Sequence, residues 1–293
     1  MGSVQIEIWK RFPSWRIRVL EAAESVGGTW NWNRYPGARV DSESLSYAFS
    51  FDEELMNEWH WKESFAPQSE ILRYIERIAE KHDLNKDIRF QNRIKSARWQ
   101  DYDGTWLFSG ERGQQYQMTF FISCMGFLST PSLPAIPGIE SFKDFANKRI
   151  GVIGTGATGI QTITAVAKEP SVNSVSLPKD RELEKYDSIF QLCASTQGCF
   201  MHQADARKSL EVTEEERRAL WEEVYAKPGF AKWLGVFSDT YTNREANKLY
   251  SDFMASKIRE RINDPEVADS LIPKNHGFGT RRVPLESGYF GNL

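Results

Sequence analysis

From Ser69 to His82 the chain reads SEILRYIERIAEKH, which sets Ile71, Leu72, Ile75, Ile78 and Ala79 along one face of a helix. Aromatic and β-branched content predicts strands at WRIRVL (15–20), GTWLFS (104–109) and QMTFFISCM (117–125). KRIGVIGTGATGIQTITAVAK (148–168) reads as strand, tight turn and helix. Beyond Pro178 the pattern becomes helical. Thr213 followed by Glu216 is a capping box that opens a helix through about Tyr225. Thr242 or Asn243 opens a longer helix, with Ala246, Leu249, Tyr250, Phe253, Ile258 and Ile262 as its apolar stripe. Asp264 and Pro265 mark a further helix start, with proline in the first turn. STPSLPAIPGIESF (129–142) carries three prolines and reads as a linker, and GFGTRRVPLESGYFGNL (277–293) as a loop. An α/β part is thus followed by a helical insert.

Composition narrows the class. The chain has 293 residues, 40% apolar and 13% aromatic, enough for a substantial core. Its 37 basic and 40 acidic residues leave a formal charge of −3, so charge gives no case for nucleic acid or an anionic membrane. Three cysteines are too few, and odd in number, for a disulfide framework, which favours a cytoplasmic location. The four histidines show no zinc-ligand spacing. The longest apolar run, Met118 to Leu128, is too short to span a bilayer, and the N-terminus has no signal-peptide pattern.

The strongest chemical signal is GVIGTGATGIQ, with G-x-G-x-x-G at Gly154, Gly156 and Gly159, after an apolar run and before a helix. The first glycine permits the turn, the second lets backbone approach a pyrophosphate, and the third lets helix and strand come close. The helix N-terminus then faces the anion. Thr155, Ala157, Thr158 and Gln161 complete this dinucleotide-binding stretch. An acid about 20 positions on would select NAD. Lys179 and Arg181, flanking Asp180, stand there instead and suit the extra phosphate of NADP. Glu21 ends a predicted strand and precedes Gly27 and Gly28, as in the second strand of another such unit. The first glycine loop should lie about 20 residues before Glu21, and that count reaches Met1.

GGTWNWNRYPGARVDSESLSYAFSF (27–51) resembles the signature loop of the flavin-containing Baeyer–Villiger monooxygenases. The similarity continues through EWHWKESFAPQSEILRYIERIAEKHDL, CMGFLSTPSLPAIPGIESF and IGVIGTGATGIQTI, and returns in DPEVADSLIPKNHGFGTRRVPLESGYF. The resemblance implies an α/β, Rossmann-like architecture with two dinucleotide-binding parts. An incomplete FAD-binding domain would take 1–144. An NADP-binding domain would take 145–293, with a helical insert at about 205–265 and the start of a return to the FAD domain. It implies FAD contacts at Glu21, Gly28, Thr29, Trp30, Asp41 and Tyr47. NADP contacts would fall at Gly154, Thr155, Gly156, Ala157, Thr158, Gly159, Gln161 and Lys179. Arg282 would be the catalytic arginine and Asp41 its carboxylate partner, with no metal. The implied reaction inserts oxygen from O2 beside a ketone to give an ester or lactone, through a peroxyflavin, with NADPH as reductant.

Four departures from the family pattern leave other functions open. The first glycine loop is absent, and so is the F-x-G-x-x-x-H-x-x-x-W-P fingerprint expected before Gly154. The family's phosphate-contacting arginine is replaced by LPKD (177–180), and the chain stops at Leu293 where family members continue. A partner chain completing the FAD site is one expectation. A non-oxygenating relative, which binds a ligand, catalyses a cofactor-free rearrangement or serves as a partner subunit, is another. A plain NADP-binding module using residues 148–180 is a third.

Overall fold

A computed structural model describes residues 2–126, 128, 135, 151–167, 193, 196, 200–286 and 288–290. Most of the 129–142 linker, residues 148–150 and the Lys179–Arg181 cluster lie outside the described residues. The chain divides into two compact units. One takes Met1–Arg34 and Gln68–Arg149, the other Tyr35–Pro67 and Ile150–Leu293.

In the first unit, helix α1 (Gly2–Arg11) precedes strand β1 (Val19–Leu20), and helix α2 (Thr29–Trp32) follows it. Helix α4 (Gln68–Lys81) then leads to β2 (Ile88–Arg89), which pairs parallel with β1 through Val19–Ile88 and Leu20–Arg89. Parallel strands need a crossover, and α4 is its helix. The buried stripe of α4 is Ile71, Tyr74 and Ile78, at helical spacing; Ile75 is half-buried. Strands β3 (Ile94–Gln100), β4 (Thr105–Gly110) and β5 (Gln115–Met118) form an antiparallel meander.

Two predicted strands are shorter than expected. Of 15–20 only Val19 and Leu20 are strand, because β2 offers partners to those two residues alone. Of 117–125 only Gln117 and Met118 belong to β5. Met118 pairs with Trp106, one residue from the start of β4, so the ladder runs out there. Phe120, Ile122 and Met125 beyond it are exposed.

In the second unit, α3 (Glu53–Glu58) starts at Asp52, whose carboxylate accepts the Leu55 N–H at 2.9 Å. Helix α5 (Ala157–Ala167) follows the glycine turn as predicted. The expected strand before that turn is not formed over Gly151–Ile153. No described strand pairs with it, and Ile153 is 91% exposed. Helix α6 (Glu214–Ala226) opens with the predicted capping box: the Thr213 hydroxyl accepts the Glu216 N–H at 3.2 Å and Glu216 accepts the Thr213 N–H at 2.9 Å. A short α7 (Ala231–Leu234) precedes α8 (Arg244–Arg261), capped by Asn243, and α9 (Pro265–Leu271), capped by Asp264. The core here is Trp221 and Val224 of α6, Val236 and Phe237, and Tyr250 and Phe253 of α8, with Phe278 packed on it.

The capping box is testable. Thr213→Ala removes the hydroxyl acceptor and is expected to lower the unfolding free energy by about 1 kcal/mol. The readout is a lower urea midpoint at unchanged slope; an unmoved midpoint would show that the cap contributes nothing.

Candidate active site

Residues 35–67 are the bed of the site. Val40 N–H donates to the Ala66 carbonyl at 3.1 Å and Ser44 N–H to the Ser64 carbonyl at 2.7 Å. The Ser44 hydroxyl donates to the Glu63 carbonyl at 2.7 Å and accepts the Ala66 N–H at 2.8 Å. These bonds clamp the segment on both sides of Asp41. The clamped segment also meets α5. Gly37 adopts φ +80°, and a Cβ there would lie 2.5 Å from the Gln161 carbonyl oxygen, so only glycine allows this approach.

Arg282 arrives from the far end of the sequence. Asn247 of α8 donates to the carbonyls of Phe278 at 2.9 Å and Thr240 at 3.0 Å. The Ser251 hydroxyl accepts the Phe278 N–H at 2.9 Å. Phe278 itself lies edge-on to Tyr250, with centroids 4.8 Å apart. The loop is thus tied to the helical core four residues before the arginine, whose guanidinium Nη2 then donates to Asp41 Oδ2.

The pair is asymmetric. The Asp41 side chain is 9% exposed and that of Arg282 56%. Burial raises the Asp41 carboxyl above its ordinary value, and the guanidinium charge works against that rise. The exposed guanidinium lies 5.9 Å from the centroid of the Phe230 ring. Asp41, Tyr47, Phe230, Trp233 and Arg282 are among the residues lining a cavity of about 330 Å3. One wall is aromatic, and the polar edge carries a fixed cation. Phe230 is set by Gly229 at φ +64°, where a Cβ would lie 2.2 Å from Glu43 Oε1. Glu43 in turn meets His202 at 2.8 Å, both largely buried. Burial also raises the phenols of Tyr35 and Tyr47, which keeps both protonated as donors.

The glycine turn fits a dinucleotide. Gly154 has φ +112°. A Cβ on Gly159 would lie 2.3 Å from the Gly154 carbonyl oxygen, whereas one on Gly156 would meet nothing within 4 Å. The third glycine is therefore needed by the turn itself, and the second leaves backbone open for a ligand to lie against. Thr155 is exposed beside it, and α5 begins at Ala157. Thr158 and Gln161 both bond Tyr35. Lys179 lies outside the described residues.

Of the proposed flavin-side residues, Glu21, Gly28, Thr29 and Trp30 sit in the first unit, and Asp41 and Tyr47 in the second. Glu21 follows β1, and its carboxylate accepts the Ala23 N–H at 2.8 Å. Gly28 has φ +52° with open space at its Cβ position, while Gly27 at φ +118° is crowded by Leu72. Thr29 and Trp30 begin α2, and the Trp30 carbonyl accepts from the Gln68 amide. Sequence reasoning did not single out Tyr35, Phe230 or Asn247. Tyr35 carried a signal in its place before Pro36 and Gly37; Asn247 had none. Among the described residues no cluster of His, Cys, Asp and Glu could hold a metal, and no helix is long and apolar enough to cross a membrane.

No family model matches the chain. Curated relatives do. The 2-oxo-Delta(3)-4,5,5-trimethylcyclopentenylacetyl-CoA monooxygenase of Pseudomonas putida is 41% identical over 94% of this chain. The acetone monooxygenase (methyl acetate-forming) of Gordonia sp. (strain TY-5) is 36% identical over 93% of it. A crystal structure of OTEMO in complex with FAD and NADP superposes with a TM-score of 0.88 at 38% identity, over 99% of this chain and 62% of that one. Cyclohexanone monooxygenase from Rhodococcus sp. Phi1 bound to NADP+ gives 0.86 at 32%, over 98% and 60%. The chain belongs to the Baeyer–Villiger monooxygenase family. It spans 57% of the length of the two curated relatives named above. Its fold is the family's Rossmann-type α/β fold, present in part.

The burial of Asp41 has a pH consequence. A carboxyl raised in the folded state contributes stability that is full below its unfolded value of 3.8 and is lost as pH rises through the folded value. Asp41→Asn removes that titration. The parent's resistance to urea is expected to weaken relative to the variant's as pH rises above 3.8 and through the folded value. A difference that stays constant with pH would contradict the raised carboxyl.

Proposed function

We propose that this chain carries out NADPH- and FAD-dependent Baeyer–Villiger oxygenation in the cytosol: ketone, O2, NADPH and a proton give ester or lactone, NADP+ and water. The observation that carries this is the exposed Arg282 guanidinium, anchored on buried Asp41 at the edge of an aromatic-walled cavity. The glycine turn and the relatives' identities support it.

Bound FAD would activate O2, with electrons from NADPH; the protein supplies position and charge. Gly154, Gly156 and Gly159 would present backbone N–H groups to the NADP pyrophosphate at the start of α5. Glu21 would take the FAD ribose, and Gly28, Thr29 and Trp30 would lie along the flavin. Phe230 and Trp233 offer apolar surface to a ketone. The Arg282 guanidinium can hold an oxyanion as negative charge develops on the attacked carbonyl. Asp41 fixes the direction of that cation and balances its charge.

The test separates the two halves of the reaction. With FAD, NADPH and a cyclic ketone, Arg282→Ala is expected to lose ester formation by about 10²–10³-fold, while NADPH oxidation continues. Gly156→Val is expected to weaken NADPH binding and to slow both, because its side chain occupies the open face of the turn. Arg282→Ala forming ester at the parent rate, or a parent that forms none, would overturn the proposal.

A further inference from the structure

Gln161 joins the glycine turn to the Asp41–Arg282 pair. It lies on α5 two residues after Gly159 and is 8% exposed. Both ends of its amide are engaged. Oε1 accepts the Tyr35 hydroxyl at 2.7 Å, and Nε2 donates to Asp41 Oδ1 at 3.2 Å and to the Arg39 carbonyl at 3.3 Å. Reversing the amide would turn an acceptor toward two acceptor oxygens, so its orientation is fixed.

The consequence falls on Asp41. Arg282 holds only Oδ2, and more than half of the arginine side chain is in solvent. The torsion that turns a carboxylate about its own axis is broad. One bond to an exposed guanidinium leaves that rotation open; a second bond on Oδ1 from the buried Gln161 amide closes it. The geometry points to Gln161 as a positioning residue: its amide sets the Asp41 carboxylate, and through it the direction in which Arg282 is presented to the substrate. This rests on Arg282 being the cation of an oxygenase site. It differs from a dinucleotide contact, which the position of Gln161 after the glycine turn also invites.

The test reads Asp41 directly. The full chain, labelled with 13C at aspartate carboxyls, is titrated by NMR without cofactors, and Asp41→Asn assigns the resonance. Gln161→Leu removes a hydrogen bond to the ionised form and is expected to move the Asp41 titration upward by about one pH unit. Gln161→Glu keeps the size and the acceptor for Tyr35 but turns a second carboxylate toward Asp41, and is expected to move it further. Supplied with FAD, NADPH and ketone, both variants are expected to form about 10-fold less ester per NADPH consumed, at unchanged KM for NADPH. An Asp41 titration that stays in place in both variants overturns the role. So does a defect confined to a raised KM for NADPH. The titration needs no turnover: a parent that makes no ester refutes the oxygenase function, while the Asp41 shift still decides whether Gln161 holds the carboxylate.

Discussion

Asp41 is a carboxylate taken largely out of water, and the organisation of the second unit follows from satisfying it. An ionised group in such a place needs charge and hydrogen bonds directed at it, or it takes up a proton instead. The partners come from distant parts of the sequence. Arg282 is 241 positions away and Gln161 is 120. Each is carried by an element that is itself anchored: Gln161 by α5, and Arg282 by a loop bonded to Asn247 and Ser251 on α8. The helical core beneath that loop is therefore part of the site's construction.

The same constraint explains the composition of the loop around Asp41. Serine hydroxyls there bond backbone groups of Glu43, Glu63 and Ala66, which holds an irregular segment without a regular strand. Gly37 brings the segment onto α5, and Gly229 brings Phe230 against Glu43. Each is a position where a side chain has no room. The result is a cavity with one exposed cation, fixed from behind by a buried anion, and aromatic walls that exclude water from one side. Such an arrangement stabilises negative charge with little reorganisation.

What was legible in the sequence follows the range of the interactions involved. Helix starts at Thr213, Asn243 and Asp264 are set by a side chain and a backbone N–H two or three residues apart, so a short window contains the cause. Strand lengths were overestimated at 15–20 and 117–125, because a strand ends where its neighbour ends, and the neighbour lies elsewhere in the chain. The pairing of Asp41 with Arg282 was reachable only through likeness to a family, since no local pattern links residues 241 apart. Gln161 was visible from its place after the glycine turn, but its bonds to Tyr35 and Asp41 were not. Tyr35 and Asn247 went unnoticed for the same reason.

Whether this arrangement serves oxygen insertion is decided most directly by isotope transfer. Purified chain is supplied with FAD, NADPH and a cyclic ketone under 18O2, and the product is read by mass spectrometry. One 18O atom in each ester or lactone molecule, dependent on NADPH, is the expected result. Consumption of NADPH and O2 with no labelled ester would contradict oxygen insertion by this site.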